Sequence, residues 1–364
     1  MLFIKKNFFF KKIGQRSFKK KLIIVLLLSG LGLTFTLTGY AKNNSLNLYT
    51  WAGYVPDNVL TEFTQETGIT VNVTTYSNNE TLYAKLKTDP HIGYDVIIPS
   101  SYYVGKMRTE NMLHPLDKKY LSNMQYMLPA LMNRPYDPHN QYTVPYLWGS
   151  TGIVVNDKYF DPQKISKWAD LWQQQYHNQL LILDDYREAF AFALIKLGYS
   201  VNDVNPEHIK QAYLELKKLM SNIKLFNADS EINIYSDEDA TLGIGWSGDI
   251  FLAQRSNPHL RFIYPYPHFS MWVDCLAIPQ YAPHLMNAYK FINFIMRPDI
   301  AAQISIAQGY SSPNQAAIKL LPKNMQESQT VNPDGATIRR GEILGDVGAA
   351  NQIYTYYWQL LKIG

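Results

Sequence analysis

From residue 46 onward, short alternating or uniformly apolar runs take turns with stretches whose apolar residues recur at helical spacing. Leu46-Asn47-Leu48-Tyr49-Thr50-Trp51 alternates with the period of two that a strand requires. Past Pro56, Val59, Leu60 and Phe63 return at three- and four-residue intervals, and Gly68 stands where a helix usually ends. Ile69–Val73 predicts a second strand, 81–88 a helix, and Tyr94–Ile98 a strand stopped by Pro99. Further on, Leu180–Leu183, Gly152–Asn156 and Leu242–Trp246 predict strands. Residues 185–197, 208–221 and 286–296 predict helices, the last closed by Pro298. Strands alternating with helices point to an α/β fold. No internal repeat, low-complexity tract or long linker interrupts the pattern, so two lobes joined by strand crossovers suit the chain better than separate beads.

In open α/β sheets, ligands bind beyond the carboxyl ends of strands. The residues standing there are unusually rich in aromatics and acids. Trp51 and Tyr54 follow the first strand; Ser100, Tyr102 and Tyr103 follow the Tyr94 strand. Asp185 and Glu188 follow Leu180–Leu183, Trp246 ends its strand with Asp249 after it, and Trp272 and Asp274 lie in a polar-aromatic stretch. Slender cations suit such a mixture: each ammonium gains about 0.5–2 kcal/mol over an aromatic face. An ion pair at about 4 Å adds roughly 4 kcal/mol at an effective dielectric of about 20, before desolvation is subtracted. Each residue also has an ordinary structural reading. Asp185 and Glu188 have capping-box spacing at a helix start. The tryptophans fit a core, and Ser100 after a proline fits a turn or an N-cap. Asp274 enters an apolar run, where a carboxylate is costly unless paired.

Charge changes the picture only after the first residues are read. Residues 1–41 hold eight cations (Lys5, Lys6, Lys11, Lys12, Arg16, Lys19, Lys20 and Lys21) and no acid. The apolar run Leu22–Leu37 and the small-residue stretch Gly39-Tyr40-Ala41 follow. This order predicts a secretory signal peptide over 1–41, cleaved after Ala41. The apolar run is short for a spanning helix, which needs about 20 residues. The whole chain carries 34 Lys+Arg against 30 Asp+Glu, a net +4; without the eight leader cations the balance is 26 against 30, or −4. The basicity therefore belongs to the leader, and nucleic acid is not expected as a partner. With one cysteine, Cys275, no intramolecular disulfide exists, and stability must come from a core that 46% hydrophobic residues can supply. Twenty-seven tyrosines and seven tryptophans are more aromatics than packing demands, which fits an aromatic-lined site.

Catalytic signals are poor. The eight histidines are scattered without HExxH spacing, and no GxGxxG, P-loop or GxSxG is present. Cys275 lacks the setting of a nucleophile and reads as a buried structural thiol. Paired carboxylates could serve a glycosidase, and spacing alone leaves that open.

Several segments carry a family resemblance. They include Tyr49-Thr50-Trp51-Ala52-Gly53-Tyr54-Val55-Pro56, Asn79–Lys87, Tyr94–Tyr103 and Asp184-Asp185-Tyr186-Arg187-Glu188. Trp272-Val273-Asp274, Gly309-Tyr310 and Asp346–Ala350 complete the set. Together, from Leu46 to Leu361, the chain resembles the spermidine/putrescine-binding periplasmic receptors of bacterial ABC importers. The resemblance implies a two-lobed type II periplasmic solute-binding fold that closes on ligand. One lobe would comprise 42–149 with about 275–320, the other 150–274 with about 321–364. It implies a polyamine ligand, an inner-membrane ABC permease as partner, a monomer, a periplasmic location, no enzymatic activity, no cofactor and no metal. The implied pocket residues are Trp51, Tyr54, Ser100, Tyr102, Asp185, Glu188, Trp246, Trp272, Asp274 and Tyr310, with aromatics boxing the methylenes and acids taking the ammonium groups. Asp249 lies outside that set and is expected to matter far less than Asp274.

The chain departs from the family pattern at Gly53, where an acid can stand, at Leu344, where an amide can stand, and at Ala228, where a hydroxyl can stand. Three retained acids suit a triamine by count, with putrescine as competitor. A module reporting polyamine to a membrane signalling receptor would use the same pocket, and a secreted carboxylate-dependent hydrolase is the third reading.

Overall fold

Strand β1 (Ser45–Trp51) places Leu46 and Leu48 on one face and Tyr49 on the other, and each face meets a separate core. The computed structural model describes residues 44–363; the expected signal peptide over 1–41 lies outside them. Beside β1 run β2 (Thr70–Tyr76) and β3 (Val96–Ile97), both parallel to it. Between β1 and β2 lies helix α1 (Asp57–Thr67), which buries Val59 and Phe63 and ends at Gly68. Gly68 adopts a left-handed φ of 68° and donates its N–H to Thr64 O at 2.8 Å. Helices α2 (Asn79–Thr88) and α3 (Ser101–Thr109) flank β3.

The longest strand, β4 (Thr143–Asn156), is buried at every position and changes partners midway. Thr143–Ser150 pairs antiparallel with β9 (Phe269–Ala277); Thr151–Val155 pairs with β7 (Leu242–Trp246), and Ile153–Asn156 with β8 (Leu260–Ile263). Strands β5 (Leu180–Ile182) and β6 (Ile223–Phe226) extend the β7 side in parallel, and β10 (Gly341–Ile343) pairs with the start of β9. The resulting ten-stranded order is β2-β1-β3-β9-β4-β7-β5-β6, with β8 on β4 and β10 on β9. Its two halves are joined through β4 and β9, whose uniform burial matches their place in the middle of the sheet.

Helix α4 (Tyr186–Lys196) is buried from Tyr186 to Ile195, which is why its sequence is apolar almost all round. Helix α5 (Pro206–Leu219) covers it with a buried stripe of Ile209, Ala212, Leu216 and Leu219. The short α6 (Glu231–Ser236) and α7 (Ser247–Ala253) flank β7, and α8 (Leu285–Ile295) and α9 (Pro298–Gln308) close the β1 side with Phe291, Ile292 and Ile304. Helix α10 (Asn351–Ile363) ends the chain. Among the described residues no helix is long and apolar enough to cross a membrane.

Two expectations need correction. The polar-aromatic stretch holding Trp272 and Asp274 forms the interior of β9, a strand the periodicity does not predict, and the strand expected at Gly152–Asn156 begins nine residues earlier, at Thr143. Both runs carry Pro, Gly, Ser or Asp, which obscure strand periodicity; the sheet accepts Ser150, Ser270 and Asp274 because Ser150 reaches Tyr264, Ser270 reaches Glu188, and Asp274 accepts from Ser100 and Tyr54. The strand expected at Tyr94–Ile98 is regular only at Val96–Ile97; just before it Asp95 donates its N–H to Asn47 O at 2.8 Å, and its carboxylate accepts the Asn47 and His284 backbone N–H groups.

Candidate functional site

A cleft of about 810 Å³ opens at the carboxyl ends of the parallel strands. Four strands deliver their last residues to the wall, β1 Trp51, β2 Tyr76, β6 Phe226 and β7 Trp246, and Asp184 and Asp185 follow β5. Ser100 follows β3, Asn227–Asp229 follow β6, Leu344 follows β10, and β9 adds Trp272 and Asp274. All ten residues of the pocket implied by the sequence, from Trp51 to Tyr310, line this one cleft.

Asp274 is 5% exposed. Ser100 Oγ donates to its Oδ1 and Tyr54 Oη to its Oδ2, both at 2.6 Å. Burial pushes its pKa up to about 6, and those two hydrogen bonds hold it from rising further. Ser100 occupies the N-cap position of α3 without capping it, because its hydroxyl is committed to Asp274. Its own setting comes from Asn79, which accepts the Ser100 N–H at 3.0 Å and donates to Ser100 Oγ and to Tyr102 Oη at 3.1 and 2.9 Å.

Asp185 caps α4: one oxygen, Oδ1, accepts the N–H groups of Arg187 and Glu188 at 2.8 and 3.1 Å. The same residue lines the cleft, so capping and site placement coexist. Burial, then the Glu188 and Glu80 carboxylates, push its pKa up to about 7 against those backbone hydrogen bonds. The capping-box reading is half met. Glu188, 3% exposed, does not reach back to the cap; it accepts from Ser270 Oγ at 2.6 Å and from Trp246 Nε1 at 3.4 Å. Burial raises its pKa too. Between these acids in sequence, Arg187 is buried but points away: its guanidinium donates to Gly345 O and Asn202 Oδ1 at 2.9 and 3.0 Å and lies over the Tyr102 and Tyr354 rings.

The aromatic walls are held as firmly. Trp51 Nε1 and Tyr76 Oη both donate to Ile98 O, at 3.1 and 2.6 Å, and the two rings lie 4.8 Å apart. Trp272 meets Tyr310 edge to face, with centroids 4.9 Å apart. Two glycines make room for that pair. A Cβ at Gly149 would lie 2.6 Å from the Trp272 ring, and one at Gly248 would lie 2.3 Å from Tyr310.

Sequence reasoning missed several lining residues. Asp249, set outside the site from sequence, lines the same cleft as Asp274. Asn79, Tyr76, Asp184, Asp229 and Gln308 join it; of these only Tyr76, at a strand end, carried a readable signal. Ala228 and Leu344 line the cleft as well, and Gln308 reaches across to donate to Gly53 O at 2.8 Å. Among the described residues the lining thus carries six carboxylates (Asp184, Asp185, Glu188, Asp229, Asp249 and Asp274) and no lysine, arginine or histidine.

The family model of bacterial extracellular solute-binding proteins matches residues 58–332. This chain belongs to that family. A relative from Escherichia coli (strain K12), named spermidine/putrescine-binding periplasmic protein, is 45% identical over 322 residues, covering 88% of this chain and 92% of its own. A Haemophilus influenzae relative, named spermidine/putrescine-binding periplasmic protein 1, is 41% identical over 88% of this chain and 90% of its own. Among solved structures, a putative spermidine/putrescine ABC transporter from Listeria monocytogenes superposes with a TM-score of 0.84 at 32% identity, covering 88% of this chain and 99% of its own. For a solute-binding protein, a cleft at the strand ends that crosses from one half of the sheet to the other is the expected place for a ligand, and the two-lobed α/β architecture read from sequence is the fold observed.

Proposed function

We propose that this solute-binding protein captures a polyamine in the periplasm, spermidine with putrescine as competitor, and hands it to an ABC permease of the inner membrane without altering it. The observation that carries this reading is the lining: six carboxylates, four tryptophan and tyrosine side chains from the strands, and no cation among the described residues. An anionic solute would meet only like charge there, and a neutral sugar would leave buried acids unpaired. A slender polycation supplies ammonium donors to the buried carboxylates and lays its methylenes on aromatic faces. The cleft volume also falls in the roughly 300–1,000 Å³ usual for small-molecule sites. The names of the relatives agree with this ligand class.

Secretion through a leader cleaved after Ala41, and a monomeric mature chain, belong to the same reading. So does a division into lobes of 42–149 with about 275–320 and 150–274 with about 321–364, hinged where β4 and β9 run together. Closure of those lobes on ligand should compact the protein in solution scattering. Titration calorimetry with spermidine, putrescine and cadaverine tests the ligand. Dissociation constants all weaker than about millimolar, roughly −4.1 kcal/mol, would end the proposal.

A further inference from the structure

Of the six carboxylates lining the cleft, one already holds a cation. Lys362, in the last turn of α10, donates from Nζ to Asp184 Oδ1 at 2.9 Å. Among the described residues none of the other five lining acids is ion-paired. The same ammonium lies 4.3 Å from the centroid of the Phe226 ring and 5.3 Å from that of Trp358. Those two rings meet edge to face, 5.5 Å apart at 87°, so the nitrogen sits in an aromatic corner with a carboxylate beside it. Asp184 follows β5 and Phe226 ends β6, the two strands at one edge of the sheet. Both residues line the cleft, whereas Lys362 does not.

A carboxylate beside aromatic faces is the setting in which the cleft would hold a ligand ammonium. At the β5–β6 end the chain supplies that ammonium itself. A lysine in a last helical turn gains from the helix dipole, and one placed four residues after a tryptophan can lie on its ring. Neither reason accounts for its contacts with Asp184 and Phe226, which belong to other elements. The consequence for a ligand is electrostatic. Asp184 has its charge met, so an amine reaching this end gains little from it and approaches a fixed like charge. The Lys362 and Asp184 side chains are 34% and 43% exposed, so water screens the pair and keeps the effect modest.

We propose that Lys362 is a specificity-determining residue: it fills, from outside the cleft, the cation position at the β5–β6 end and so limits the length of polyamine the protein takes. The inference rests on the reading of the cleft as a polyamine site and adds to it a residue that selects against longer ligands. A triamine needs nothing from Asp184, since the five other lining acids stand free of ion pairs. A tetramine long enough to reach the β5–β6 end meets the Lys362 charge there. No covalent bond changes.

The experiment is titration calorimetry of wild type, Lys362→Met, Lys362→Arg and Asp184→Asn with spermidine and with spermine, a tetramine, alongside thermal melts without ligand. Lys362→Met keeps an apolar stem on the Phe226 and Trp358 rings and removes the charge. It should raise the affinity for spermine relative to spermidine about tenfold. Lys362→Arg keeps the charge and should keep the wild-type preference. Asp184→Asn leaves Lys362 without its counter-charge and should move the ratio the other way, against spermine. A lysine that merely fastens α10 predicts a lower melting temperature for Lys362→Met with the spermine-to-spermidine ratio within about threefold of wild type, and a ratio in that range overturns the proposal at any melting temperature. Should Lys362→Met fail to fold, Asp184→Asn decides: an unchanged ratio, or one shifted toward spermine, refutes the role of Lys362. A wild type that binds neither polyamine would sink the ligand assignment itself, whereas a wild type that binds spermidine with a ratio indifferent to Lys362 sinks only the specificity role.

Discussion

Replacing Asp274 by asparagine should strengthen the unliganded protein and weaken the liganded one. Asp274 is 5% exposed, and burial raises its pKa from 3.8 to about 6. That difference corresponds to roughly 3 kcal/mol carried by the ionised form in the folded state. The sign follows from proton linkage. A carboxyl group whose folded pKa lies above its unfolded value makes the fold lose stability as pH rises from about 4 to about 6. The Asp274→Asn variant would not suffer that loss. It would also leave one of the two hydroxyl donors, Ser100 or Tyr54, without its acceptor, a cost of about 1 kcal/mol. The net gain for the unliganded protein above pH 6 is therefore about 2 kcal/mol. Binding moves the other way. An ammonium–carboxylate contact at about 4 Å is worth roughly 4 kcal/mol at an effective dielectric of about 20, less desolvation, so the variant should lose about 2–4 kcal/mol, some thirtyfold to a thousandfold in Kd. Chemical denaturation without ligand and calorimetry with spermidine read the two halves separately. An affinity within about threefold of wild type, or a less stable unliganded variant at neutral pH, would refute the reasoning.

Affinity for polyamine should fall as pH drops from about 8 to about 5, because Asp185, near 7, and Asp274, near 6, must each lose a proton to accept an ammonium; a pH-independent Kd would contradict this. Asp185→Ser should keep the α4 cap and lose the charge, whereas Asp185→Ala loses both. Melts should then separate the two variants by about 1 kcal/mol while calorimetry finds both weakened, and equal stabilities would show that the cap contributes nothing. Gly248→Ala would set a methyl 2.3 Å from the Tyr310 ring, so Tyr310 must move away from Trp272. The variant should lose at least about tenfold in affinity, and an unchanged Kd would place Tyr310 outside the energetics of binding.

The residues themselves determined much of this. Hydrophobic periodicity located β1, β2, β7 and helices α1, α4, α5 and α8 to within a few residues, because alternating, uniformly apolar or helically spaced runs are local properties of the sequence, legible even in β2, where only Tyr76 is buried. The strand-end rule, applied to aromatics and acids, pointed at Trp51, Ser100, Asp185 and Trp246 before any geometry existed. Other features needed the tertiary structure. Whether Asp185 capped a helix or lined a cleft was undecidable from spacing, and the fold shows one oxygen turned to the cap while the residue lines the wall. Strand β9 escaped the pattern because Ser270 and Asp274 find their partners, Glu188 and Tyr54, 82 and 220 residues away. Asp249 was marked by the strand-end rule and set aside by the resemblance; the fold shows it lining the cleft with Asp274. Local sequence records which face of an element is buried. Which polar groups meet across elements is set by chain crossings, and here by β4 and β9 joining the two halves of one sheet.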